Sequence, residues 1–593
     1  MSETRSGPRT LAELAGATAD QFGDQVAARY QREGEWRELT FEQARTRAEE
    51  LALGLVAIGI APGDRVAILS NTRVEWTLAS LAASAAGAVV VPVYPTNAAS
   101  ECGWVLGDSG TRLVVCEDAE QVAKIQQVRS QLPALEHVFV IDGYDGAQSL
   151  DQLAAAGAGH DRSELTRRQA AVAIDDIYTI IYTSGTTGPP KGTVLTHANA
   201  LSVSAKVSQL GIIAAGDTLY LYLPLAHAFA LASLLAAHGL GATVVYFGGD
   251  TKQIRQELIE TKPTYLPSVP RVFEKLYGAA LKLQAQSSEE DQERFAKAIA
   301  LGVDVRQRLA RGEQIPAALQ QAFEQADERL YQRVRGLFGG QLKQAITGAA
   351  PIAPEILEFF YACGVPVMEG WGMTETTAVA TVCTLEDFRF GTVGRTMPGV
   401  EIRIADSDGE ILVRGDNVFR EYWNNPEATA ETLIDGWLHT GDIGELDDDG
   451  YLKITGRKKD IIITAGGKNL APANIENELK QSPFISQAVM HGDRRPYPVA
   501  LITLDPEEIL PWAAEQGLPQ DLEQLADADQ VVALVQAALD RANANYAQVE
   551  QIKRFAILKR DLSIEDGELT PTLKVKRTVV NDRYAEVLDA LYG

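Results

Sequence analysis

Y-T-S-G-T-T-G-P-P-K-G, residues 182–192, follows a β-rich run over 178–182 and precedes T-H-A-N-A, where Thr196 stands in position to cap a helix. The glycines let a backbone approach a ligand closely, and the hydroxyls and N–H groups can surround phosphate oxygens. Lys191 adds a point charge at the end of the loop. The spacing does not fit G-x-x-x-x-G-K-[ST], and no G-x-G-x-x-G follows a strand, so neither a Walker loop nor a dinucleotide fingerprint is present. A flexible polar turn is the plain alternative. So dense a run of Ser, Thr and Gly, closed by a cation, favours a phosphate-binding loop between strand and helix.

Outward from this loop the first half of the chain alternates strand and helix. Short apolar runs at 65–69, 88–93, 113–116, 137–141 and 242–247 read as buried strands, with a helix over 76–86. That alternation predicts α/β layers with largely parallel sheets. Residues 278–336 are rich in Ala, Gln, Glu, Lys and Arg and read as a helical insertion. At 400–415 the signal becomes antiparallel, two alternating strands around D-S-D-G, and 445–455 repeats it around D-D-D-G. The expected fold is α/β: a large N-terminal domain of layered sheets with a β-rich subdomain (1–455), a linker at 456–460, and a small α+β domain (461–593).

With 593 residues the chain needs more than one core. Its net charge of −26 argues against a nucleic-acid partner, and a polyanionic substrate must be met by local positive charge. Cys102, Cys116, Cys363 and Cys383 form no C-x-x-C pair, which fits reduced thiols in the cytoplasm. No apolar leader opens the chain, and 1–20 reads as the start of an amphipathic helix. The greasiest stretch, 223–247, contains Pro224, His227, His238, Gly239 and Gly241, so a buried helix and strand suit it better than a membrane span. Peripheral membrane contact stays open, as does the oligomeric state.

The loop at 182–192 closely resembles the phosphate-binding loop of the adenylate-forming superfamily, which includes acyl-CoA synthetases, luciferases and peptide-synthetase adenylation domains. The resemblance continues in order along nearly the whole chain. T-G-A-A-P (347–351) matches the adenine-side loop, E-G-W-G-M-T-E-T (369–376) the adenine-stacking and metal segment, and H-T-G-D (439–442) the ribose stretch. G-R-K-K-D (456–460) matches the inter-domain hinge, and T-P-T-L-K-V-K-R (570–577) the terminal lysine motif.

The resemblance assigns nucleotide binding to Thr183, Ser184, Gly185, Thr186, Thr187, Gly188 and Lys191, to Gly348 and Ala349, and to Glu369, Gly370, Trp371, Gly372 and Thr374. Trp371 offers a flat face to a purine where the family usually has Tyr; alone, it would read as a core aromatic. Glu375 is a hard carboxylate suited to Mg²⁺ held against phosphates, with a solvated acid at a helix cap as the alternative. Asp442 can accept from ribose hydroxyls and Arg457 is a multi-donor fork beside it; turn chemistry and a surface ion pair are the plain readings.

The resemblance places the catalytic cation at Lys574. A carboxylate attacking the α-phosphorus of ATP brings negative charge to negative charge, so a positioned cation and Mg²⁺ are the main devices. Leu573 stands where shorter-chain relatives have Gly, so Lys576 is the competing assignment, and a basic tail is the plain one. The resemblance also implies that the C-terminal domain swings about Lys459 between adenylate and thioester formation. Gly466, Gly467 and Lys468 would then line the path of coenzyme A. His227, in L-P-L-A-H-A-F, would orient the acyl carboxylate or gate the thiol; a hydrogen-bonded core histidine competes equally.

L-P-S-V-P-R-V-F-E-K-L-Y (266–277), the helical insertion after it, and D-G-W-L-H-T-G-D-I-G (435–444) resemble the long-chain fatty acyl-CoA synthetase branch. The implied substrates are a long-chain fatty acid, ATP and coenzyme A. A fatty acyl-AMP ligase loading a carrier protein is the nearest rival, and a non-catalytic lipid-binding or uptake protein the rival from another class.

Overall fold

The computed structural model describes residues 7–183, 189–285, 288–465, 468–570 and 574–593. Ile177–Thr183 and Lys191–Thr196, the strands on either side of the phosphate loop, pair antiparallel, with Thr183 opposite Lys191. They extend an eight-stranded sheet whose interior is parallel: Val89–Val93, Arg65–Leu69, Leu113–Cys116 and His137–Val140 follow in spatial order. The expected strands lie at 65–69, 89–93, 113–116, 137–140 and 243–246. A nine-stranded sheet places Val367–Trp371 beside Gln344–Thr347, in parallel, with Thr347 opposite Glu369.

One continuous core draws on both sheets and on helices Val74–Ala85 and Ala228–Leu240. Both helices are Ala- and Leu-rich and buried nearly all round, as a helix between two sheets must be. The greasy stretch at 223–247 is therefore interior, and among the described residues no helix is long and apolar enough to cross a membrane.

Residues 278–336 are mostly helical, as expected, and the first helix starts before them. Helix Pro270–Ala285 opens at a proline suited to a first turn, and helices Glu289–Ala310, Ala317–Ala326 and Gln332–Gly336 follow. Both expected hairpins form: Glu401–Ile404 with Glu410–Arg414, and Trp437–Leu446 with Leu452–Arg457. The second runs two residues past the expected end of the β-rich part, because Asp442 and Arg457 are its last cross-strand pair.

Beyond it a separate core gathers Ile475, Ile485, Ile502, Val531, Val535 and Leu539 around the sheet of Ile485–His491, Val499–Leu504 and Arg554–Ile557. Two ion pairs tie this part to helix Pro270–Ala285: Arg271 Nη2 to Asp505 Oδ2 at 2.5 Å and Lys275 Nζ to Glu507 Oε2 at 2.6 Å.

Thr196 caps helix His197–Gln209 as the sequence predicts. Its Oγ1 accepts the Asn199 N–H at 3.2 Å, and Asn199 Oδ1 returns the bond to the Thr196 N–H. Thr196→Ala is expected to cost about 1 kcal/mol, read as a lower guanidinium midpoint. An unchanged midpoint would refute the capping role.

Candidate active site

A cavity of about 680 Å³ opens where the two large sheets, the β-rich hairpins and the C-terminal part meet. Thr183, Lys191, His227, Gly348, Ala349, Gly370, Gly372, Thr374, Glu375, Asp442, Arg457, Lys459 and Lys574 all line it. Residues drawn from segments hundreds of positions apart thus share one space. Ser184, Gly185, Thr186, Thr187 and Gly188 lie outside the described residues, as do Gly466 and Gly467. Lys468 is not on the cavity wall; its ammonium lies 3.5 Å from Glu550 within the C-terminal part.

Asp442 and Arg457 are cross-strand neighbours, and Arg457 Nε donates to Asp442 Oδ1 at 2.7 Å. The second carboxylate oxygen accepts the indole N–H of Trp371 at 2.9 Å. Each oxygen keeps further acceptor capacity. Trp371 is only 9% exposed, and Gly370 and Gly372 on either side of it form the cavity wall. Trp371 and Glu369 are themselves off that wall, and a Cβ on Gly372 would collide with the Ala378 carbonyl, so close packing requires the glycine. Ala349 holds a φ of 67°, a left-handed backbone uncommon for a residue with a Cβ. Thr347 Oγ1, also on the cavity wall, is buried without a hydrogen-bond partner among the described residues.

Glu375 is buried, and Tyr422 donates its hydroxyl to Oε1 at 2.7 Å. Burial pushes this carboxyl up; the Tyr422 bond and the charges of Arg457 and Lys191 oppose that. The Lys191 ammonium sits 4.9 Å from the centre of the Tyr422 ring. Tyr422 thus joins a cation and a carboxylate from two other segments. It was not legible in the sequence: R-E-Y-W-N-N-P (420–426) carries no chemical signature. Glu369 is buried too, and burial pushes its carboxyl up to about 8, so it is largely protonated at neutral pH.

His227 caps helix Ala228–Leu240, its Nδ1 accepting the Phe229 N–H at 3.2 Å. Burial first, and the charge of Lys574 second, hold the imidazole down to about 4. The neutral ring therefore carries its proton on Nε2, which makes it a donor.

Lys574 enters from the C-terminal part. A short hairpin carries it: Leu569 bridges Val575, Thr570 N–H donates to the Lys574 carbonyl at 2.8 Å, and Lys574 N–H donates to Thr570 Oγ1 at 3.0 Å. The residue keeps accessible surface because it faces the cavity. Surrounding protein nevertheless holds its ammonium down to about 8, helped by the charge of Arg457 and opposed by Asp442 and Glu375. Lys576 is not on the cavity wall.

The AMP-binding enzyme family matches residues 16–423, and the AMP-binding enzyme C-terminal domain matches 459–593. The long-chain-fatty-acid–CoA ligase FadD15 of Mycobacterium tuberculosis is 41% identical over 571 residues, covering 95% of this chain and 94% of that one. The long-chain-fatty-acid–CoA ligase ACSBG2 of Xenopus laevis is 30% identical, covering 99% and 84%. Among solved structures, an anthranilate CoA ligase bound to anthranoyl-AMP matches with a TM-score of 0.72 at 21% identity, covering 99% of each chain. The adenylation domain of a carboxylic acid reductase from Segniliparus rugosus, bound to AMP, gives 0.76 at 20%, covering 98% of this chain and 94% of that one. These two likenesses establish the fold.

Tyr422→Phe removes the hydroxyl that satisfies buried Glu375 and leaves the ring under Lys191. The expected cost is about 1–3 kcal/mol, measured as a lower thermal midpoint at pH 7.5; no change would mean that the carboxylate finds another donor.

Proposed function

The chain belongs to the AMP-binding enzyme family, and from that premise we infer that it joins a long-chain fatty acid to coenzyme A with conversion of ATP to AMP and pyrophosphate. It is an AMP-forming acid–thiol ligase. One observation supports the assignment of its residues above all others: Lys574, from the C-terminal part, lines the same cavity as Lys191, Glu375, Asp442 and Arg457.

In the first half-reaction a carboxylate oxygen of the fatty acid forms a bond to the α-phosphorus of ATP, and the bond to the bridging oxygen breaks as pyrophosphate leaves. Lys574 and Lys191 offset the charge gathering on the phosphoryl oxygens. The backbone of Gly370 and Gly372, on the cavity wall beside the strand that ends at Trp371, faces the adenine. Asp442, steadied by Trp371 and Arg457, accepts from the ribose hydroxyls. His227 donates Nε2–H to the acid and orients its carboxylate. In the second half-reaction the thiol sulfur of coenzyme A attacks the acyl carbonyl, the thiol proton is lost, and AMP leaves.

The residues present fit a Mg²⁺ ion carried in with ATP. Among the described residues no cluster of three ligating side chains exists, and the single hard carboxylate of Glu375 is what an ion shared with substrate phosphates requires. When bound, the ion would neutralise phosphate charge.

The domain arrangement follows the same reading: an adenylate-forming part over 1–455, a hinge at 456–460 turning on Lys459, and a mobile part over 461–593. Four buried free cysteines support a cytoplasmic setting.

Pyrophosphate release from Mg·ATP is expected to need a long-chain acid, and steady turnover to need coenzyme A. A stoichiometric burst indifferent to coenzyme A would instead indicate an acyl-AMP ligase, and no release with any acid a non-catalytic protein. Chelation of Mg²⁺ is expected to abolish release.

Because Lys574 must be charged, kcat/KM for adenylation is expected to fall as pH rises through about 8, the value to which its surroundings hold the free enzyme's ammonium. An alkaline limb starting near the ordinary lysine range would remove that role from Lys574.

A further inference from the structure

The hairpin that carries Lys574 is pinned on both sides by ion clusters that do not touch the cavity. On the leading side Glu568 has no accessible surface at all. Its carboxylate accepts from Arg560 Nη1 at 2.8 Å and Nη2 at 2.7 Å, from Arg583 Nη1 at 2.8 Å, from the Tyr584 hydroxyl at 3.1 Å and from the Ser563 N–H at 3.1 Å. Its backbone closes the base of the hairpin: the Glu568 carbonyl accepts the Lys576 N–H at 2.7 Å. On the trailing side Arg577 donates Nη1 and Nη2 to the two oxygens of Glu476, at 2.7 and 2.6 Å, and Nη1 also to the Met490 carbonyl at 3.0 Å.

Burial pushes the Glu568 carboxyl up, yet the hydrogen bonds from Arg560 and Arg583 reverse this and hold it down to about 2. The carboxylate is thus ionised and fully engaged across the working pH range. Burying such a cluster is a poor route to stability, since desolvation costs several kcal/mol per ion and an apolar replacement is often as stable. What it supplies is a fixed geometry. A lysine side chain is long and rotamerically free, so only a fixed backbone can aim its ammonium at one point in a cavity.

We propose that Glu568 is a positioning residue for adenylation: with Arg560 and Arg583 it fixes the hairpin base so that Lys574 reaches the α-phosphate, and it serves no purpose in the thioester step. This rests on the role given to Lys574 above and on the withdrawal of that lysine between the two half-reactions. Glu568 acts through Lys574 and touches no substrate.

Glu568→Gln keeps the volume and removes the charge, leaving the arginines against a neutral amide. In the full-length protein, pyrophosphate release is expected to fall roughly 10- to 100-fold in kcat, the loss typical of a misplaced catalytic group. Thioester formation from chemically prepared acyl-adenylate and coenzyme A should stay within about twofold of the parent, the spread expected of an uncoupled site. In a Lys574→Ala background, adding Glu568→Gln should cost no more than about twofold, because the two residues act as one unit. Arg583→Gln, at a partly exposed position, gives a milder variant with the same selectivity. Unchanged adenylation, an equal fall in both half-reactions, or a multiplicative loss in the Lys574→Ala background would each overturn the proposal. A parent enzyme that releases no pyrophosphate with any acid would instead remove the role of Lys574 on which it rests.

Discussion

A carboxylate has to be driven onto a polyphosphate inside a protein whose own net charge is −26. At 4 Å two like charges repel by about 4 kcal/mol in a partly screened site, so positive charge must be concentrated locally and against the global field. Lys191, Arg457 and Lys574 supply it from three distant segments, converging on one cavity. Left without substrate they would repel one another. The structure answers with carboxylates among them: Asp442 holds Arg457, and Tyr422 connects Lys191 to Glu375.

The same constraint explains the division of the molecule. Most of the cavity-lining groups stand on a framework with one continuous core spanning two large sheets. Lys574 stands on a part with its own core. Helix Pro270–Ala285 is linked to that part by two ion pairs, Arg271 with Asp505 and Lys275 with Glu507. The Lys275–Glu507 pair is exposed on both sides and contributes little net stability, whereas the Asp505 carboxylate is buried beneath Arg271.

Much of this was legible residue by residue. Strand periodicity located the runs at 65–69 and 113–116, because a strand buried on both faces must be apolar without a break. Thr196 was readable as a cap because capping is a local bond between near neighbours. The D-S-D-G and D-D-D-G turns gave both hairpins for the same reason. Tyr422 was not readable: its partners, Glu375 and Lys191, lie 47 positions away in one case and in a different strand in the other. Helix Pro270–Ala285 runs across the change of composition at 278, because a helix can open at a proline well before its charged residues accumulate.

Sequence by itself determined the elements, the order of the motifs and the kind of chemistry they carry, since turn formation, capping and patterning are settled within a few residues. Tertiary structure decided which groups meet: that Trp371 gives its N–H to Asp442, that a buried His227 lies on the same cavity as Lys574, and that the Glu568 carbonyl closes the base of the hairpin that carries Lys574. These depend on distances between segments remote in the chain, and on burial, which sets the protonation of a group through surroundings that no local stretch of sequence contains.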